Sequence, residues 1–220
     1  MSSNDKINKE VEQAKDSFLK KLEDDGVVHP RGLAAIGFGP FFLAAIPVTT
    51  FIAKEGGIFE KAVNGLCNSI VWLSSAGSQS RIAQTGKIAA LSGLYIAATY
   101  AFTGAASVAG QAAGCKDGRD NKEPRKSTAS LKGLPLRLYS AHYNLMEMFP
   151  GFALAAALVQ AMAPADQALT NLLGLHVITK LFVYYPSYIL NVGPTRSLAH
   201  ILATSSVIGV CLQLAKRPLL

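Results

Sequence analysis

Between Gly32 and Ala53 the chain carries no charged side chain. A run of this length and character suits a helix that crosses a bilayer, which takes roughly 20 apolar residues. More such runs follow, at Ile88–Ala113, Leu134–Met162, Leu169–Leu190 and Ser197–Leu214. Water is absent from the bilayer core, so each span must satisfy its own backbone groups, as an α-helix does. The bulk numbers agree: 50% of the 220 residues are hydrophobic and 16% are charged, against about a quarter charged in a typical soluble domain. The chain is therefore expected to be an all-α, multi-pass integral membrane protein.

The formal net charge is +7. The basic residues cluster between apolar runs and form no stripe with interleaved aromatics, which argues against nucleic acid as a partner. Three cysteines, Cys67, Cys115 and Cys211, include no CxxC pair, so neither a disulfide framework nor a metal site is expected. The N-terminus has no apolar core of a cleavable signal and is too acidic for a transit peptide. The first span is expected to act as an uncleaved signal.

Three regions follow from this pattern. Residues 1–31 form an N-terminal amphipathic segment, with Ile7, Val11, Phe18 and Leu22 near one helical face. That surface helix lies on the membrane, packs on a partner, or is simply solvated. Residues 32–86 hold an extra transmembrane helix, kinked at Pro40 and Pro47, and a half-apolar interfacial or re-entrant segment at 58–76. Residues 87–215 carry four further spans. The second half of the first of these, TGAASVAGQAAG, is a small-residue packing face. The polar loop at 115–133 contains six Lys or Arg, which places it on the cytosolic or equivalent side. No inverted repeat and no acidic ring points to a channel or transporter.

The spans contain residues that simple packing does not explain. An ionisable group at the bilayer centre costs roughly 2.5–3.5 kcal/mol on insertion scales and is a functional candidate by default. Glu147 lies ten residues beyond Arg137, about 15 Å deeper along a helix, so the two cannot pair. His176, Lys180, Tyr184 and Tyr188 recur every four residues and form one polar stripe. A Glu147–Lys180 contact is expected from their similar depth. Arg196 and His200 share a face at the start of the last span. Together with Ser197, Asn144 and the tyrosines they make a candidate anion site.

These residues also carry a resemblance. DNKEPRK, a Leu–Gly-containing linker, and then R-x-x-x-A-H-x-N-x-x-E-x-F-P over residues 137–150 resemble the MAPEG family, the membrane-associated proteins of eicosanoid and glutathione metabolism. The later Y-x-x-x-Y followed by R-S is similar to that family's last two helices, and the resemblance spans about residues 87–215. It implies a four-helix membrane bundle, a homotrimer, and glutathione as cosubstrate between subunits near the cytosolic side. It implies that Asn144, Glu147, Tyr184, Tyr188, Arg196 and Ser197 lie where the family binds glutathione, with Arg137 at the motif's arginine; Lys180 joins these as a candidate glutathione contact from its place on the polar stripe, and Ser197, His200 and Arg196 are the candidates for catalysis. The implied activity is that of a glutathione S-transferase or peroxidase acting on lipophilic electrophiles or lipid hydroperoxides, in the endoplasmic reticulum or another organellar membrane. The alternative is a catalytically inactive relative serving as a structural subunit or scaffold of a larger membrane complex. Three positions depart from the family pattern: Tyr143 stands before Asn144 where several catalytic members have Arg, Leu181 replaces an expected Arg, and His200 replaces a common aromatic. Two cations are thus absent from the anion pocket.

Overall fold

The computed structural model describes residues 3–126 and 128–217, without the side chains of residues 3–6 and 31. The side chain of Arg31, which flanks the first apolar run, is therefore outside the described set. Every regular element among the described residues is helical, so the all-α expectation holds. The chain forms two compact units, Met1–Phe41 and Phe42–Leu220.

The first unit contains α1 (Ser3–Asp24) and a 3-10 helix at Pro30–Phe38. The apolar side chains Ile7, Val11 and Phe18 are all exposed on α1. Gly26, at φ +84°, turns the chain after α1, a conformation open to glycine because it lacks Cβ.

Helix α2 (Gly39–Ala44) leads into the second unit, and α3 (Ile46–Ile52) follows after a break at Ala45. Pro47 sits in the first turn of α3. It has no N–H to donate back to Leu43, so a continuous helix cannot form there. Next come α4 (Ile58–Ser74), α5 (Lys87–Ile96), α6 (Thr103–Gly114), α7 (Gly133–Met162), α8 (Gln167–Ile178), α9 (Tyr185–Ile189) and α10 (Gly193–Ala215). A π-turn at Ala97–Phe102 joins α5 to α6, and another at Thr179–Tyr184 joins α8 to α9. The second has a local cause. Pro186 removes the donor for the Phe182 carbonyl, and widening the preceding turn accommodates that loss.

Among the described residues, four helical stretches are long and apolar enough to cross a membrane: Gly32–Ile52, Gln84–Gly114, Gly133–Met162 and Gly193–Ala215. The helix from Gln167 to Ile189 completes the bundle. Its His176, Lys180 and tyrosines keep it out of the most apolar set.

Contacts at the helix ends fix an up-and-down arrangement. Lys87 Nζ at the start of α5 donates to Gln167 Oε1 at the start of α8 (2.7 Å). Arg217, just past α10, pairs with Asp166, the N-cap of α8. At the opposite end, Arg137 Nε near the start of α7 donates to the Ile189 carbonyl at the end of α9 (2.8 Å). The turn into α10 uses Asn191 at φ 60°, with Val192 N donating back to Ser187 O (2.8 Å) in a Schellman-type stop.

The segment expected to be interfacial or re-entrant forms α4, which packs against α5 and α8. Val63 and Cys67 are fully buried in it. The closest approach is at Gly174, where an added Cβ would meet Val63 Cγ2 at 2.6 Å. Helix α3 lies against α10 and α8. Helix α8 is thereby sheathed by residues preceding the four-helix core, and every residue from Leu169 to Val177 is buried. A chain of hydrogen bonds ties this sheath down. Gln167 Nε2 donates to Asn171 Oδ1 (2.6 Å), and Asn171 Nδ2 donates to the Ala53 carbonyl that ends α3 (3.1 Å).

Candidate functional site

Helix α7, the π-turn after α8, and the first turns of α10 converge on Lys180. This side chain is fully buried. Its Nζ lies 3.2 Å from Asn144 Oδ1 and 2.8 Å from His200 Nδ1. It also sits 4.1 Å above the centre of the Tyr184 ring, where the π-face attracts a cation. An ammonium can only donate, so its bond to His200 requires Nδ1 as acceptor, and the neutral imidazole then carries its proton on Nε2.

The π-turn is what brings Lys180 to this position. An extra residue in one turn shifts every following side chain relative to α-helical spacing. The polar stripe of the sequence accordingly divides. His176 points into the core, with Nδ1 2.9 Å from the Ala203 carbonyl and its ring stacked on Phe152. Lys180 and Tyr184 face His200, and the Tyr184 and His200 ring centres are 5.8 Å apart. Tyr188, one turn on, packs edge-to-face on Tyr184. The Arg196 guanidinium lies 4.6 Å above the Tyr188 ring, which holds the cation at the rim.

The expected Glu147–Lys180 contact is not formed. Ion pairs among the described residues join Lys126 to Glu123 and Arg217 to Asp166, and none reaches Lys180. Glu147 is exposed on the outer side of α7. Asn144 and Glu147 are three residues apart, so they lie about 60° from each other on the helix surface; Asn144, on the more buried side, takes the Lys180 amine, and Glu147 stays in the exposed position. Ser197 is also exposed, while Arg137, Tyr188, Arg196 and His200 are half-buried. Arg137 spends its Nε on the Ile189 carbonyl and acts as a brace between helices.

The structure thus unites Asn144, Lys180, Tyr184 and His200 in one contact network, with Tyr188 and Arg196 at its edge. Glu147 and Ser197 lie outside that network. Sequence reasoning missed Phe42. Its ring meets His200 edge-on at 5.6 Å, and its carbonyl accepts from Ser205 Oγ at 2.7 Å. Phe42 sits in an apolar run with no distinguishing neighbour, so nothing in the local pattern marks it. The three described cysteines form no disulfide, and no group of three or more metal-ligating side chains is present among the described residues.

A model of the MAPEG family matches residues 88–216. No curated protein matches the chain, and no solved structure does. The matched region begins at α5 and contains the whole Lys180 network except Phe42.

Proposed function

Because the chain belongs to the MAPEG family, we propose that it binds glutathione at the rim of the Lys180 network and joins its sulfur to lipophilic electrophiles, or uses it to reduce lipid hydroperoxides. One observation supports this above the rest: a fully buried lysine, unpaired with any carboxylate among the described residues, with a second basic side chain, Arg196, packed on the nearby Tyr188 ring. Burying an unpaired ion costs several kcal/mol. An anion entering beside it offsets part of that cost. Glutathione brings two carboxylates and, once its thiol proton leaves, a thiolate.

The roles divide by position. Arg196 over Tyr188 receives a carboxylate through charge-assisted hydrogen bonds. Glu147, exposed on a membrane helix, meets the glutathione ammonium. The positive potential of Lys180 lowers the thiol pKa. His200 has Nδ1 committed to Lys180, which leaves its Nε2–H to donate to sulfur, and the Ser197 hydroxyl supplies a second donor. In conjugation the thiolate forms the S–C bond, and the displaced electron pair leaves with the departing group or is protonated on the electrophile.

The assembly is read as a homotrimer with glutathione between subunits, in an organellar membrane such as the endoplasmic reticulum, with the 115–133 loop on the cytosolic side. The sheath of α3 and α4 covers α8 and leaves the outer face of α7, with Glu147 and Leu154, uncovered. A carboxylate on that face is costly against lipid, which supports a ligand or a neighbouring subunit there.

A second reading, a non-catalytic subunit of a larger membrane complex, is favoured by one specific feature. Asn144 and His200 already satisfy Lys180 internally. Calorimetric titration of glutathione into the detergent-solubilised full chain separates the two. Saturable binding that is lost in Arg196→Ala supports the enzyme. No heat of binding at millimolar glutathione rejects it in favour of the subunit reading.

A further inference from the structure

The groove between α6 and α7 holds a second polar constellation that shares no residue with the Lys180 network. It is a cavity of about 500 Å³. At its polar end Arg119 and Arg125 come from the 115–133 loop, joined by Gln111 and Tyr139 from the ends of the two helices. At its far end the lining is Tyr100, Gly104, Val108 and Met146. Gln111 and Tyr100 are eleven residues apart, roughly 16 Å of helical rise, about half the thickness of a hydrocarbon core.

Arg119 is poised for an acceptor that no described residue supplies. Its Nε is buried without a hydrogen-bond partner among the described residues, while its Nη1 is held by Asn121 Oδ1. Orphaned buried donors of this kind are rare and call for an explanation. Arg125 is exposed beside it. The loop carries six basic residues against Asp117, Asp120 and Glu123, so its field favours an anion.

We propose that this groove binds a phosphate-headed, acyl-tailed membrane lipid. The two guanidinium forks match the oxygens of a phosphate group and can engage it bidentately. They lie where a membrane span meets its polar loop, the level at which lipid phosphates sit. The tail runs down the small-residue face of α6 towards Tyr100 and Met146. Gly104 leaves the room for it: a Cβ there has only His142 Cε1 nearby, at 3.6 Å. The shared chemistry of head and mouth is also that of a free phosphate ester, and the apolar half of the groove distinguishes the two. This inference is independent of glutathione binding.

The test uses the full chain in neutral detergent and a fluorescently labelled phosphatidic acid, with the same label and chains on phosphatidylcholine for comparison. Phosphatidic acid is expected to bind saturably and roughly tenfold or more tightly than phosphatidylcholine, the increment of a charge-assisted pair. The double variant R119Q/R125Q is expected to erase that preference with helix content unchanged by circular dichroism. Gly104→Leu, which fills the tail half and leaves the arginines intact, is expected to weaken both lipids. Equal affinity for the two lipids, or an undiminished preference in R119Q/R125Q, overturns the proposal. So does displacement of the lipid by an equal concentration of glycerol 3-phosphate, which makes a free phosphate ester the ligand.

Discussion

The docking of α4 on α8 can be tested at one pair of residues. Replacing Gly174 with Ala puts a methyl group 2.6 Å from Val63 Cγ2 and 2.9 Å from Cγ1. Ordinary carbon contacts lie near 3.5–4.0 Å, so the two helices must part by about 1 Å. Val63 cannot swing aside, because a β-branched side chain in a helix has essentially one χ1 rotamer. Overpacking of this kind costs about 1–3 kcal/mol, against a gain of up to about 1 kcal/mol from replacing a helical Gly by Ala. Gly174→Ala is therefore expected to destabilise by about 2 kcal/mol. Val63→Ala removes the obstructing methyls, at a cost of about 1.5–3 kcal/mol for the fully buried side chain. In that background Gly174→Ala becomes neutral or stabilising, giving a coupling of about 2–3 kcal/mol. Denaturant unfolding in detergent micelles, followed by fluorescence, measures the cycle. Trp72 is the one tryptophan of the chain and lies on α4, so the signal reports the helix in question. If Gly174→Ala costs the same with Val63 as with Ala at 63, within about 0.5 kcal/mol, the two residues are not in contact and the packing of α4 is refuted.

Burial pushes the Cys67 thiol up to about 11, against the lowering pull of the Lys87 ammonium. Cys67, with no exposed surface, is thus expected to stay unalkylated by maleimide in the folded protein at pH 8 and to react on unfolding at the same pH; mass spectrometry of the labelled peptides decides. Asp166 caps α8 by accepting from Leu169 N at 2.8 Å and also pairs with Arg217. Asp166→Ala should lower stability by about 0.5–2 kcal/mol and Asp166→Asn by well under 1 kcal/mol, since a part-exposed ion pair contributes little; equal losses in thermal unfolding would assign the effect to the ion pair instead. Lys87→Met leaves Gln167 Oε1 without its buried donor, with an expected loss of about 1–3 kcal/mol, read as earlier exposure of Cys67 to maleimide. Glu147→Gln should leave helix content and thermal stability unchanged while weakening glutathione binding, because the carboxylate is exposed and unpaired with Lys180; a fall in stability equal to the fall in binding would mean it serves the fold.

Much of this protein is legible in the order of its residues. Long uncharged runs exclude a soluble fold, because a helix that satisfies its own backbone is the form such runs take in lipid. The motif at 137–150, with the later Y-x-x-x-Y and R-S, was enough to select the family, and the spacing of Asn144, Lys180, Tyr184 and His200 picked out side chains that the fold brings into contact. What spacing cannot supply is the rotation of one helix against another. Glu147 and Asn144 are near neighbours in sequence, yet only Asn144 reaches Lys180, because helical packing leaves Glu147 facing outward. The π-turn at Thr179–Tyr184 separates His176 from Lys180 where a regular helix would align them. Phe42, and the chain Lys87–Gln167–Asn171–Ala53, join segments eighty or more residues apart. No local pattern encodes such meetings, since each depends on how distant helices pack, as where Gly174 of α8 leaves room for Val63 of α4.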